Sequence, residues 1–233
     1  MQFGQEMRRR LPPDDPTDTA YVNAVGQNLV PYARRQGIRY QFHVIDGPEV
    51  NAFAVPGGHI FVFTGMMTFL QSEAELAAIL GHEISHVDLR HAIERYQYEL
   101  AARKVGLDGA GQLADMARLP IVIGYRKNEE MEADAQGVRL SIEAGYDPTV
   151  APLLFGRMQA AFGGALPDRA ATPQGELVST LAGGLVDYFH SHPSSQERMM
   201  RLNALIAANQ GRLRGRKLDA GVSNYWRRVA RTP

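Results

Sequence analysis

Gly81-His82-Glu83-Ile84-Ser85-His86 sets two histidines four residues apart, with a glutamate directly after the first. Four residues advance a helix by about 400°, so His82 and His86 project from one face, one turn apart. Two imidazoles so placed can share one metal ion, and Zn2+ suits nitrogen ligands of this kind. Glu83 stands beside His82, close enough to address a water at the metal without ligating it. That is the division of labour of a metalloprotease, with histidines holding the ion and Glu83 as general base. Zinc would supply the acidity, lowering the pKa of its water toward ~7.

A catalytic zinc takes a third protein ligand and keeps one position open. Asn128-Glu129-Glu130-Met131-Glu132-Ala133-Asp134 offers three glutamates. Glu130 and Asp134 are four apart and share a helix face, whereas Glu132 and Asp134 diverge by about 200°. Glu130 is therefore the expected ligand. Asp134 is expected to orient His82 through that ring's second nitrogen. Glu129 and Glu132 read as a solvated acidic helix start, favoured by the macrodipole. Ala133 and Gly137 are small enough to let this helix approach the first.

Composition narrows the field. The chain has 233 residues, 45% of them apolar, with Lys+Arg 25 against Asp+Glu 25, and contains no cysteine. The missing thiols exclude disulfide scaffolds, thiolate zinc knuckles and cysteine nucleophiles. A zero net charge argues against a dedicated nucleic-acid binder. No run approaches the ~18–20 apolar residues that cross a bilayer. Met1–Arg10 does not read as a signal peptide. The expected setting is the periplasm or cell envelope if an export signal has been removed, and the cytoplasm otherwise.

The elements that must position these residues are legible in outline. Asp14-Asp15-Pro16 is a helix start, with the helix running to about Arg35 and Gly37 as its C-cap. Ile38–Ile45, Asn51–Val55 and His59–Thr64 read as strands, the last two joined by Pro56-Gly57-Gly58. Ser72-x-x-Glu75 is a capping box, and Leu76, Leu80, Ile84 and Val87 carry a helix on to about Ala102. Gly106–Gly111 breaks it. A second helix spans Asn128–Ala144, Asp147-Pro148 caps a third to about Ala160, and Ala161–Glu176 reads as a surface loop. Ser194 or Ser195 caps a last helix to about Asn209. The expected organisation is an N-terminal extension over 1–13, a metallopeptidase domain over 14–210 and a basic tail over 211–233, in an α+β, mainly helical fold.

Taken together, Asn51-Ala52-Phe53-Ala54-Val55-Pro56-Gly57-Gly58, H-E-x-x-H, E-x-x-A-D from Glu130 to Asp134, Gly145-Tyr146-Asp147-Pro148 and Ser191-His192-Pro193 resemble a known set. The chain looks like the zinc metallopeptidases that include HtpX, the CAAX prenyl endopeptidases and the periplasmic BepA-type proteins. The resemblance implies a gluzincin-like fold with the active helix under a small sheet, one zinc on His82, His86 and Glu130, and Glu83 as base. It also implies that Asn51, Ala52, Phe53 and Ala54 lead into a strand on which an extended substrate pairs. A histidine matching His192 is an extra ligand restraining activity in some soluble members. The membrane spans of HtpX and the prenyl proteases and the C-terminal repeats of the BepA type have no match here.

His192 can thus ligate a resting zinc or donate to the oxyanion formed at the scissile carbonyl, with His190 as its competitor. Arg198 can bind a substrate carboxylate or carbonyl, or make a surface ion pair. His91 falls about 140° past His86 on a continued helix and reads as structural, as do His43 and His59. The tail from Arg212 to Arg231 reads as solvated, with contact to anionic lipid as the alternative. The expected function is zinc-dependent endoproteolysis of unfolded or extended polypeptide. The alternative is a zinc-stabilised chaperone or adaptor whose site is shut.

Overall fold

Pro16 lacks a backbone N–H and suits a first helical turn, where that donor has no partner. Helix α1 accordingly runs Pro16–Leu29 in the computed structural model, which describes residues 16–91, 93, 125–162, 192 and 196–231. The expected extension over 1–13, the Gly106–Gly111 break, most of the Ala161–Glu176 loop and the Ser194/Ser195 cap lie outside them.

Helix α1 stops short of the expected Arg35. Pro31 cannot donate the next helical bond, so the chain tightens into a 3-10 turn at Val30–Tyr32 and leaves the helix at Ala33. Gly37 caps nothing. Strands β1 (Gln41–Ile45), β2 (Ala52–Val55) and β3 (His59–Phe63) form a sheet of order β1-β3-β2. β3 pairs parallel with β1 and antiparallel with β2. The β2–β3 turn uses Gly57 at φ 101° and Gly58 at φ 90°, conformations that favour glycine.

The alternation read in β1 does not mark a solvated face, because nearly every strand residue is buried. Phe42, Val44, Ala52, Ala54, Ile60 and Val62 join the main core. The opposite face stacks His43 on Phe61 at 4.8 Å and Phe53 on Phe61 at 5.1 Å.

After the short α2 (Thr64–Phe69) comes α3 (Glu73–Asp88), every residue of which is buried. Ser72 Oγ accepts the Glu75 N–H at 3.2 Å, as a capping box requires. The Glu75 carboxylate reaches back one residue further, to the Gln71 N–H at 2.8 Å, and is gripped by both Arg157 terminal nitrogens at 2.8 Å. α3 ends at Asp88, well short of the expected Ala102. Leu89 caps it and Arg90 turns left-handed at φ 71°. Asp88 anchors this end by accepting the N–H groups of Arg34 and Arg35 at 2.9 and 2.7 Å.

Helix α4 (Lys127–Glu143) packs along α3, and the two meet at paired glycines. A Cβ on Gly137 would lie 3.1 Å from the His82 backbone nitrogen, and one on Gly81 3.2 Å from the Gly137 carbonyl oxygen. No other residue allows this approach without moving backbone. Glu129 accepts the Arg126 N–H at 2.7 Å, which explains one glutamate of the acidic run as helix-start chemistry. Helix α5 (Val150–Phe162) follows Asp147, whose carboxylate takes the Thr149 N–H at 2.9 Å, and it absorbs Ala161 and Phe162 from the expected loop. Helix α6 (Gln196–Ala208) lies against α4 and α5.

The segment expected to be a solvated tail is largely exposed over 212–217, as expected, but docks on the domain further along. After α7 (Gln210–Leu213), the carbonyls of Ala220 and Gly221 accept the Ala74 and Glu73 N–H groups at 3.0 and 3.4 Å, satisfying free donors at the start of α3. Arg212 and Arg216 pair with Glu143, and Arg228 with Asp18, so much of the positive charge is spent inside the domain. In α8 (Val222–Arg227), Tyr225 is fully buried, meets Tyr21 edge-on at 6.0 Å and donates its hydroxyl to the Met67 carbonyl. Replacing Tyr225 with Ala is therefore expected to cost about 3–5 kcal/mol of stability in urea denaturation. A loss below about 1 kcal/mol would show the segment to be merely draped over the surface.

Candidate metal centre

Four side chains from three places in the chain converge. His82 and His86 come from adjacent turns of α3, Glu130 from the first turn of α4, and His192 from the segment before α6. All four are essentially excluded from solvent. His82 Nε2 lies 3.0 Å from His86 Nε2 and 3.1 Å from His192 Nδ1. Glu130 Oε1 lies 3.0 Å from His192 Nδ1 and 3.3 Å from His86 Nε2, and Glu130 Oε2 is 3.5 Å from His82 Nε2.

These separations test whether a metal fits. Zinc at ~2.0–2.1 Å from each donor would set tetrahedral neighbours about 3.3–3.4 Å apart. The five separations given run from 3.0 to 3.5 Å. Three buried ring nitrogens converging on one carboxylate also make poor mutual partners, because each close N···N contact needs a proton that only one ring can give. The donor set and its spacing fit a zinc-type ion.

Each imidazole has a further neighbour. His82 Nδ1 lies 3.0 Å from Asp134 Oδ1, His86 Nδ1 lies 3.1 Å from His91 Nδ1, and His192 Nε2 lies 3.2 Å from Glu83 Oε1. Tyr125 stacks on His86 with ring centres 3.6 Å apart and planes 14° apart. Arg198 is neither on the surface nor in a surface ion pair. Buried behind the cluster, it donates from Nε and Nη2 to both Asp134 oxygens at 2.8 Å, stands 2.6 Å from Glu130 Oε2 and donates to the His192 carbonyl at 3.3 Å.

Charge follows from this packing. Burial works against the His82 imidazolium, but the Glu130 and Asp134 carboxylates prevail and push its pKa up to about 9. Burial takes His86 the other way, well below the usual histidine range. Burial opposes ionisation of Glu130, but His192, Arg198 and His82 hold its carboxyl well below the usual range. Asp134 is lowered as well, with burial again opposing and Arg198 chiefly responsible.

The structure thus brings together His82, Glu83, His86, Glu130, Asp134, His192 and Arg198. Asn51 and Ala52–Ala54 are buried in and just before β2, an edge strand of the sheet that packs against α3. Asn51 Oδ1 accepts the Ala52 N–H at 2.8 Å, and its carbonyl accepts the Phe63 N–H at 3.0 Å. Sequence reasoning missed His91 at the cluster, because a continued helix turned it away. It missed Tyr125 altogether, since no periodicity or motif marks that residue.

A mainly helical α+β chain with a small sheet, two histidines on one helix and a glutamate from the next is a zincin-like domain. The chain belongs to peptidase family M48, whose model matches residues 16–206. It is similar to the mitochondrial metalloendopeptidase OMA1 of Schizosaccharomyces pombe, 31% identical over 209 residues, which are 87% of this chain and 57% of that protein. The OMA1 of Arabidopsis thaliana is 36% identical over 152 residues, 63% of this chain and 31% of the relative. The beta-barrel assembly-enhancing protease of Yersinia pestis is 29% identical over 230 residues, 88% of this chain and 47% of the relative. The chain thus spans between 31 and 57% of the length of these three relatives. No helix among the described residues is long and apolar enough to cross a membrane.

Proposed function

We propose that the protein is a zinc-dependent endopeptidase acting on unfolded or extended polypeptide. The observation that carries this reading is the convergence of His82, His86 and Glu130 with the buried Glu83 carboxylate beside them. His82, His86 and Glu130 hold one zinc, and Asp134 keeps His82 oriented. When bound, zinc supplies Lewis acidity to water and to the scissile carbonyl. Glu83 takes the proton from the attacking water and delivers it to the leaving amine. Among the described residues no strand pairs with the outer edge of β2, so an extended substrate can add there by β-augmentation. A role in protein quality control at the cell envelope is part of this reading, and the relative named for enhancing beta-barrel assembly is compatible with it.

A second reading draws on His192. Its Nδ1 stands among the donor atoms while its Nε2 meets Glu83, so one residue occupies both the fourth position and the base. In that state the site is shut, and the protein can bind peptide as an adaptor. Casein separates the readings. Cleavage abolished by chelator and restored by zinc is expected of the enzyme, and His192→Ala is expected to cleave faster than wild type if His192 holds the site closed. Binding of casein with no cleavage by either protein would leave the adaptor.

A further inference from the structure

His86 turns Nε2 toward the other donors and Nδ1 toward His91, 3.1 Å away. His91 is itself buried, and its Nε2 lies 3.5 Å from a carboxylate oxygen of Glu132. A contact between two ring nitrogens at this distance needs one proton, and chemistry decides where it sits. For His86 to offer a lone pair at Nε2, its neutral ring must carry the proton at Nδ1. That proton can be donated only if His91 Nδ1 is bare, which places the His91 proton on Nε2, the side facing Glu132. The chain His86 Nδ1–H to His91 Nδ1, then His91 Nε2–H to Glu132, uses every group in the role it can play. The opposite assignment puts the His86 proton on Nε2, among the donor atoms, where no metal could bind that nitrogen.

We propose that His91 is a positioning residue for the metal ligand His86, fixing its tautomer and ring orientation as Asp134 fixes those of His82. The fold supplies the means, since the left-handed turn at Arg90 ends α3 and folds His91 back under His86. Tyr125 covers the face of the same ring, so the hydrogen bond to His91 controls rotation in the ring plane. Glu132 is 60% exposed and screened by water; it sets the direction of the His91 ring and adds little energy.

The proposal rests on His86 being a metal ligand, and the test separates the two claims. Affinity for zinc is measured by competition with a chromophoric chelator, and folding by thermal melts in excess chelator. His91→Leu, which removes the acceptor, is expected to weaken zinc binding about 10- to 100-fold. His91→Asn, whose Oδ1 can stand where Nδ1 stood, is expected to recover most of that loss with a similar melting temperature. Equal affinity in His91→Leu and wild type, with His86→Ala severely impaired, would overturn the positioning role and leave the ligand assignment standing. Wild-type affinity in His86→Ala would remove both. Should His91→Leu fail to fold, zinc-loaded, 15N-labelled wild type decides: a scalar coupling across the hydrogen bond between the two Nδ1 atoms supports the proposal. Its absence, with a His86 Nδ1 proton in fast exchange with water, overturns it.

Discussion

Glu83→Gln is expected to bind zinc at the same stoichiometry as wild type and to lose peptide-bond cleavage by about 10³-fold or more. Glutamine keeps the size of the side chain and one oxygen for His192 Nε2, which lies 3.2 Å from Glu83 Oε1. What it loses is the ability to take a proton. Glu83 is fully buried, so a distant or solvent-borne base cannot readily replace it. The candidate donor atoms belong to His82, His86, Glu130 and His192, and none of them is altered by the change. The two measurements must therefore separate: metal content unchanged, turnover gone. Cleavage at the wild-type rate would remove Glu83 from the mechanism. Loss of zinc along with activity would make it a structural support of the site.

The parts of the site written as short-range periodicity were legible in the sequence. His82/His86 and Glu130/Asp134 each lie one helical turn apart, and a turn of helix needs no tertiary information to bring them onto one face. Gly137 was readable as a close-approach position for the same reason. The misses share a different cause. Arg90 is no helix breaker by type, so nothing announced that α3 would end beside it and swing His91 back to His86. Pro31 did announce the end of α1, and the longer apolar pattern obscured it. Arginine is mostly a surface residue, and only the meeting of α4 with α6 reveals that Arg198 is buried between two carboxylates. The basic composition of the C-terminal segment suggested solvation, whereas its partners Asp18, Glu143 and Met67 are far away in the chain. All three strands were located, the first beginning at Gln41 rather than Ile38, but alternation could not show that both faces of this small sheet are covered.

Arg198→Met should destabilise the metal-free protein by about 3–5 kcal/mol at neutral pH, because it leaves the carboxylates of Asp134 and Glu130 buried without the guanidinium that contacts both. The contacts are specific. Two parallel N–H donors reach Asp134 at 2.8 Å each, and a third nitrogen stands 2.6 Å from Glu130. Lysine cannot reproduce that fork, so Arg198→Lys should recover the charge and only part of the stability. Asp134 Oδ1 lies 3.0 Å from His82 Nδ1, so on the proposed reading zinc affinity should fall in parallel with the loss of stability. The pH dependence carries the sign. Burial would raise the Asp134 carboxyl, yet Arg198 holds it below its usual value, and such a lowered group stabilises the fold above its unfolded pKa of about 3.9. That contribution is lost as pH falls through the folded-state value. Removing Arg198 lets burial act unopposed by the guanidinium, the folded-state pKa rises, and acid unfolding moves to higher pH. The gap between wild type and Arg198→Met in urea denaturation should therefore be widest near pH 7 and close below about pH 4. A gap that is the same at both ends would mean that Arg198 acts through packing of its stem, with its charge on Asp134 and Glu130 contributing nothing to the fold.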